Sequence, residues 1–161
     1  MKYIYALIIA ISVTGNAYAC LEFQAVSGLE EQELDNKMVA LDFGGTNIAD
    51  PAKEGIFKIV NTCDEEVNNI TLSISGNPKV GEFCFSEIFE PCVDSVYPLP
   101  DDDPSTISLQ GKKESSDIPL FYNARHSGKK KKRLNADGIN SNGDVSVSTR
   151  ILGEASKTYP Y

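Results

Sequence analysis

Four cysteines, one histidine and a run of five cations are the side chains of this sequence with the clearest chemical potential. The cysteines are widely spaced, at Cys20, Cys63, Cys84 and Cys92. A structural zinc site needs closely paired thiolates, often with histidines, and these spacings do not provide one. An even number of cysteines in an exported chain instead predicts two disulfides. Of the three pairings we favour Cys20–Cys63, which would fix the N-terminus to a strand end, and Cys84–Cys92, which would close a short loop.

Sequence motifs for catalysis are missing. The single histidine, His126, lies beside the cationic run, and neither Gly-x-Ser-x-Gly nor His-Glu-x-x-His occurs. Since the cysteines are expected to form disulfides, a thiol nucleophile is not expected. We therefore predict that the chain is not an enzyme and uses no cofactor or metal. A hydrolase with carboxylates around His126 stays the alternative, because sequence alone does not show which carboxylates converge.

The basic run is the one concentrated charge in a chain whose formal net charge is −8. It comprises Lys129, Lys130, Lys131, Lys132 and Arg133. Five clustered cations predict a contact for a polyanion, such as a sulfated glycan, lipopolysaccharide, an anionic lipid or an acidic patch on a neighbouring subunit. The alternative is a solvated hairpin tip whose lysines maintain solubility. The acidic balance of the whole chain argues against general nucleic-acid binding, because the phosphate backbone attracts positive charge.

Residues 1–19 are typical of a secretory signal peptide. Lys2 precedes an apolar run, Ile4–Val13, and Ala17–Ala19 fits a cleavage site of small residues. The apolar run is too short to cross a bilayer, so we expect no transmembrane segment. Cleavage near Ala19 would leave Cys20 as the first residue, where lipidation stays an alternative although the preceding residues fit a lipoprotein site poorly. The mature chain is expected to be secreted, periplasmic or at the cell surface.

Alternating apolar residues indicate short strands, and no long helical period occurs. In Asn69–Ser75, Ile70, Leu72 and Ile74 alternate with hydroxyl-bearing residues, which is typical of a strand with one buried and one solvated face. Similar patterns predict further strands at about 20–26, 38–43, 55–61, 81–86, 106–110, 118–123 and 144–152. Seven or eight short strands separated by turn residues predict an all-β fold, a two-sheet antiparallel β-sandwich.

The mature chain, residues 20–161, has the length of one domain. Inside it we predict a long, proline-rich loop over 90–104 and a basic loop over 125–143. The acidic segment Ser27–Lys37 is predicted to be a helical turn or a solvated connector, because its two leucines do not form a helical stripe.

Several of these segments resemble the strands of secreted immunoglobulin-like modules, bacterial fimbrial (pilin-like) subunits among them. The opening strands are matched by Leu41–Gly44, Gly55–Thr62 and Ile70–Gly76, and the later ones by Ile118–Ala124 and Asn142–Val147. The resemblance implies an immunoglobulin-like sandwich that assembles by strand exchange. In such families a neighbour's N-terminal extension completes an open sheet, which is a form of β-augmentation.

The resemblance implies that Leu21, Phe23 and Ala25 are the partner-binding face of a donated strand, unless Cys20 tethers that strand to its own domain. Our leading hypothesis is a structural or adhesive surface subunit that acts by strand-edge pairing with other subunits or a surface receptor. The alternative hypothesis is a self-contained secreted binding module or inhibitor that uses loops 90–104 and 129–133.

Overall fold

The computed structural model describes residues 20–34, 39–75, 82–86, 96–98 and 104–157. These residues form eleven strands and no helix. The strands are β1 (Leu21–Ser27), β2 (Glu30–Glu33), β3 (Val39–Asn47), β4 (Lys53–Asn61), β5 (Val67–Ser75), β6 (Phe83–Cys84), β7 (Val96–Tyr97), β8 (Ile107–Leu109), β9 (Ile118–Tyr122), β10 (Gly128–Asn140) and β11 (Gly143–Ser156).

The strands form two sheets that face each other. One has the order β1-β4-β9-β6, and the other has the order β2-β3-β11-β10-β5-β7, with β8 also paired to β5. This is the predicted all-β sandwich. Among the described strand pairs, β3 and β11 run parallel, and the others are antiparallel.

The core lies between the sheets and consists of the alternating apolar residues that the sequence indicates. In β5, Ile70, Leu72 and Ile74 are buried, as predicted. Burial of an aliphatic or aromatic side chain of this size contributes about 1.5–3 kcal/mol. The largest fully buried side chains come from both sheets: Leu21, Leu41, Phe57, Ile59, Val67, Ile70, Leu72, Ile118, Leu120, Tyr122, Leu134 and Ile151.

The N-terminal strand β1 belongs to the sandwich and is cross-linked to it. It pairs antiparallel with β4, from Leu21 opposite Asn61 to Ala25 opposite Phe57. A disulfide joins Cys20 to Cys63, which confirms the first predicted pairing and is typical of exported proteins. Cys84 is also disulfide-bonded. Its predicted partner, Cys92, lies outside the described residues, as does the predicted signal peptide.

The prediction of a basic loop over 125–143 is wrong for most of that segment. Residues 128–140 form β10, which pairs with β11 along its whole length and with β5 on its other side. The pattern was misleading because consecutive lysines hide the alternation that appears only after Arg133, where Leu134 and Ala136 are buried. The connecting turn is confined to Ser141 and Asn142.

Two further segments also differ from expectation. Within Ser27–Lys37, Glu30–Glu33 forms the edge strand β2, in which all four side chains are exposed. Apolar alternation could not reveal such a strand. In the predicted loop over 90–104, Val96–Tyr97 forms β7 against β5, while residues 90–95 and 99–103 lie outside the described parts. The described residues contain no helix long and apolar enough to span a membrane.

Candidate functional site

The outer edge of β1 is the first candidate site. The Thr62 N–H donates to the Cys20 carbonyl at 2.8 Å, so Cys20 and Thr62 form a hydrogen-bonded pair. Hydrogen-bonded pairs alternate with non-hydrogen-bonded pairs along an antiparallel ladder, and this first pair therefore sets the phase of the ladder. In this phase the backbone groups of Glu22 and Gln24 point to β4, and those of Phe23 point away from it. No described strand pairs with this outer edge. At Phe23, which is only half-buried, the strand therefore presents an unpaired backbone donor and acceptor, whereas Leu21 at its start is fully buried.

The side chains that the resemblance assigned to a partner face the domain's own core. Leu21 is fully buried, and the Phe23 ring lies 5.9 Å from the Phe57 ring. Ala25 is half-buried on the same face. These three side chains do share a face, as the alternation predicts. A partner reaching the folded domain meets the backbone edge instead, together with the outward side chains of β1.

An acidic side chain from the neighbouring sheet partly covers this edge. Glu31 of β2 accepts a hydrogen bond from the Ala25 N–H through Oε1 at 2.9 Å. Charged side chains at an open edge are a usual defence against unwanted strand pairing. Since Glu31 occupies the Ala25 N–H and Leu21 is buried, the edge stays open at Phe23, between these two positions.

The basic run forms the second candidate site, and the strand divides its cations between two faces. Lys129, Lys131 and Arg133 alternate with the inward Leu134 and therefore lie on the outer face of the larger sheet. Lys130 and Lys132 are half-buried on the other face. The five cations therefore do not form one surface.

Lys130 is engaged inside the domain. Its Nζ lies 3.5 Å from Oε2 of Glu82, a buried carboxylate beside β6. The other oxygen, Oε1, accepts backbone hydrogen bonds from Arg125 at 3.1 Å and from His126 at 3.0 Å. The His126 Nδ1 lies 3.4 Å from the same oxygen. Glu82 thus holds the chain that leads into β10.

The neighbourhood of Glu82 also contains a buried phenol. Tyr122 stacks on Phe83 with ring centroids 4.8 Å apart. Burial, with the nearby charges of Glu82 and Glu154, raises the pKa of Tyr122 to about 12. Its hydroxyl has no hydrogen-bond partner in the described part of the chain. The described residues contain no group of three or more histidine, cysteine, aspartate or glutamate side chains that could hold a metal ion.

Sequence reasoning missed one cation of the outer face. In the β10–β11 hairpin Arg133 lies directly opposite Arg150. These two arginines, with Lys131, Lys132 and Ser75, line a shallow depression of about 310 Å³. Only the hairpin register connects Arg150 to the basic run, and the predicted basic loop concealed that register.

No protein-family model matches the sequence, and no curated protein matches it. Among solved structures, PapD-like domain 7 of human CEP192 aligns with a TM-score of 0.52 and 8% identity, over 98% of this chain and all of that domain. AggA, the major subunit of aggregative adherence fimbriae type I from Escherichia coli, aligns with a TM-score of 0.40 and 10% identity, over 84% of this chain and 96% of AggA.

The periplasmic chaperone SfaE aligns with a TM-score of 0.43 and 11% identity. That alignment covers 87% of this chain but only 59% of the chaperone, so the chain spans less than two thirds of it. At these identities the likenesses concern the fold alone. The match to the CEP192 domain supports one conclusion, that this chain has a PapD-like, immunoglobulin-like β-sandwich fold.

Proposed function

We propose that this chain is an exported structural or adhesive surface subunit that pairs with a second copy of itself along the outer edge of β1. The observation that carries the proposal is the open edge at Phe23, on a strand that a disulfide fixes to its own domain. A fixed strand with an open edge suits the addition of a partner strand better than donation of the strand itself.

The sequence of the edge is compatible with pairing between identical strands. A two-fold axis centred on Phe23 would place Glu22 opposite Gln24 of the partner subunit, so that no like charges are opposed. Phe23 would exchange hydrogen bonds with its own copy. A second pair, between Leu21 and Ala25 of the partner subunit, requires the buried backbone of Leu21 to become accessible. The Glu31 carboxylate would have to release the Ala25 N–H for this second pair to form.

This interface would be weak. About six backbone hydrogen bonds form in this arrangement, and each contributes about 1 kcal/mol net. Because association itself costs at least about 4 kcal/mol, little net free energy is left, and we expect a Kd in the millimolar range for the isolated subunit. Weak pairing of this kind suits an assembly in which several contacts act together.

Substitutions at Phe23 test the proposal. Phe23→Pro removes the outward N–H, and a proline is tolerated at an open edge because no ladder hydrogen bond to β4 is lost. Phe23→Ala is the matched control, since it removes the same ring from Phe57 but keeps the N–H. Sedimentation velocity over a concentration series that extends into the millimolar range should show a rising fraction of dimers for the wild-type chain and Phe23→Ala, and monomers for Phe23→Pro.

Two results would contradict the proposal. A wild-type chain that stays monomeric throughout the concentration series would show that the edge does not pair with a second copy. Dimers that persist in a correctly folded Phe23→Pro variant would place the contact elsewhere.

A further inference from the structure

The opposed pair Arg133 and Arg150 is unfavourable in the isolated domain. Directly opposite residues of an antiparallel pair have Cβ atoms about 4.5–5.5 Å apart, and like charges at this position destabilise the sheet. Both side chains are exposed, and neither has an ion-pair partner among the described residues. An anion placed between the two guanidinium groups would convert the repulsion into attraction.

The depression beside the arginines supplies further donors. Lys131 lies on the same outer face, two residues before Arg133. Lys132 also lines the depression, although its position in the strand belongs to the opposite face. The Ser75 hydroxyl donates to the Arg133 carbonyl at 3.2 Å, and the end of β5 thus borders the depression. Guanidinium groups match the planar or tetrahedral oxygens of carboxylate, sulfate and phosphate with paired N–H donors.

The backbone that carries the arginines is held on both sides. Arg133 pairs with Ser75 of β5 and Arg150 of β11, while Arg150 also pairs with Ala40 of β3. The two positions therefore lie in the interior of the sheet rather than in a loop or at an edge. A site on such strands is pre-organised, and less conformational entropy is lost on binding than at a flexible lysine-rich tip.

A polar surface continues from the arginines along the same face. The next row across the sheet contains Ser148, Asn135 and Ser73, in which the Asn135 amide donates to the Ser73 hydroxyl at 3.3 Å. In the following row the Ser146 hydroxyl donates to Asp137 at 2.7 Å. One exposed apolar side chain, Val96, lies opposite Ser73 at the end of the first of these rows, and the other exposed large apolar side chains of the described residues lie outside both rows. Hydroxyl and amide groups on a sheet face suit a sugar chain better than a lipid surface.

From this arrangement we propose that the outer face of β10 and β11 binds an acidic polysaccharide. One sulfate, phosphate or carboxylate group of the polysaccharide lies between Arg133, Arg150 and Lys131, and neighbouring sugars contact the hydroxyl and amide rows. Asp137 sets the orientation of the bound polysaccharide, because its negative charge repels acidic groups from the end of the surface that lies away from the arginines. Lys130, which is paired with Glu82, does not take part.

Heparin is a suitable probe, since it presents sulfate and carboxylate groups on a sugar chain. The test variant is Arg133→Gln with Arg150→Gln. The matched control is Lys113→Gln with Lys157→Gln, which removes the same charge from exposed positions away from this face. Titration calorimetry over a salt series measures the affinity, and uncharged dextran and vesicles of phosphatidylcholine with phosphatidylglycerol provide the comparison.

We expect the arginine variant to lose at least about tenfold in heparin affinity, and the lysine control to lose less than about threefold. The slope of log affinity against log salt should decrease by about two in the arginine variant, one unit for each lost contact. Dextran should not bind, and vesicles should bind more weakly than heparin. Heparin should raise the melting temperature of the wild-type chain and leave that of the arginine variant nearly unchanged.

Equal losses in both variants would overturn the proposal, because the binding would then follow net charge alone. It would also be overturned by the absence of heparin binding at low salt, or by vesicle binding stronger than heparin binding. The arginine variant itself should fold well, since the substitution removes a repulsion between opposed side chains. Its melting temperature without ligand is therefore expected to equal or exceed that of the wild-type chain.

Discussion

Replacing Cys20 and Cys63 together by alanine removes the cross-link that fixes β1 to its own domain. The two cysteines are 43 residues apart in the sequence. In the chain-entropy description, a closed loop of this length restricts the unfolded chain by roughly 4 kcal/mol. We therefore expect the free energy of unfolding to fall by about that amount in the double variant.

Most native hydrogen bonds around the disulfide do not involve the sulfur atoms, and the exception is a long contact of 3.9 Å from the Asn140 amide to Cys20 Sγ. The Cys63 N–H donates to the Asn61 side chain at 3.0 Å, and the Cys20 carbonyl accepts from the Thr62 N–H. The loss should therefore arise mainly in the unfolded state, and the double variant should keep its strand content. Val26→Ala, at the exposed end of β1, is the control and should change stability by less than about 0.5 kcal/mol.

Urea unfolding followed by far-UV circular dichroism measures this effect. With a slope near 2 kcal/mol per molar urea, the midpoint should fall by about 2 M. A loss below about 1 kcal/mol with an unchanged slope would refute the reasoning from loop length. Polymers that appear only in the double variant would indicate that a released β1 donates Leu21, Phe23 and Ala25 to a neighbour.

Three further substitutions have defined expectations in the same urea assay. Because the folded-state pKa of Tyr122 is about 12 and the unfolded value is near 10, stability should fall as the pH rises from about 10 to 12. Tyr122→Phe should remove this fall and cost little at pH 7, and a large loss at pH 7 would reveal a partner for the hydroxyl. Asn61→Leu should lower the free energy of unfolding by about 3 kcal/mol, because the side-chain amide donates to the carbonyls of Glu65, Leu109 and Gln110. A neutral effect would show that water satisfies these carbonyls in place of the amide. Gly153→Val should cost more than about 2 kcal/mol, because a Cβ there would lie 2.6 Å from the Tyr122 ring, and wild-type stability would contradict this close packing.

Features that depend on local alternation could be predicted from the sequence. The buried face of β5 and the sandwich follow from the period of two, and the Cys20–Cys63 pairing follows from the cysteine count with the positions of two strand ends. For β5 the signal is carried by neighbouring residues along the chain, whereas for the disulfide it is carried by the cysteine count and the ends of two predicted strands.

Features that depend on exposed strands or on distant register could not be predicted. In β2 every side chain is exposed, and the first half of β10 carries cations on both faces, so neither has an apolar stripe. The parallel pairing of β3 with β11 joins two segments that are far apart in the sequence, and no local pattern specifies it. Arg150 was missed for the same reason, because only the hairpin register brings it to Arg133.

Amide hydrogen exchange of β1, followed by NMR over a concentration series, tests the central claim most directly. The ladder phase predicts that the amides of Glu22 and Gln24 are protected at every concentration, because they donate to β4. The Phe23 amide should exchange rapidly in the dilute monomer and become protected as dimers form. A Phe23 amide that is protected in the dilute monomer, or that stays unprotected at the highest concentration, would contradict an edge that is open and binds a second copy.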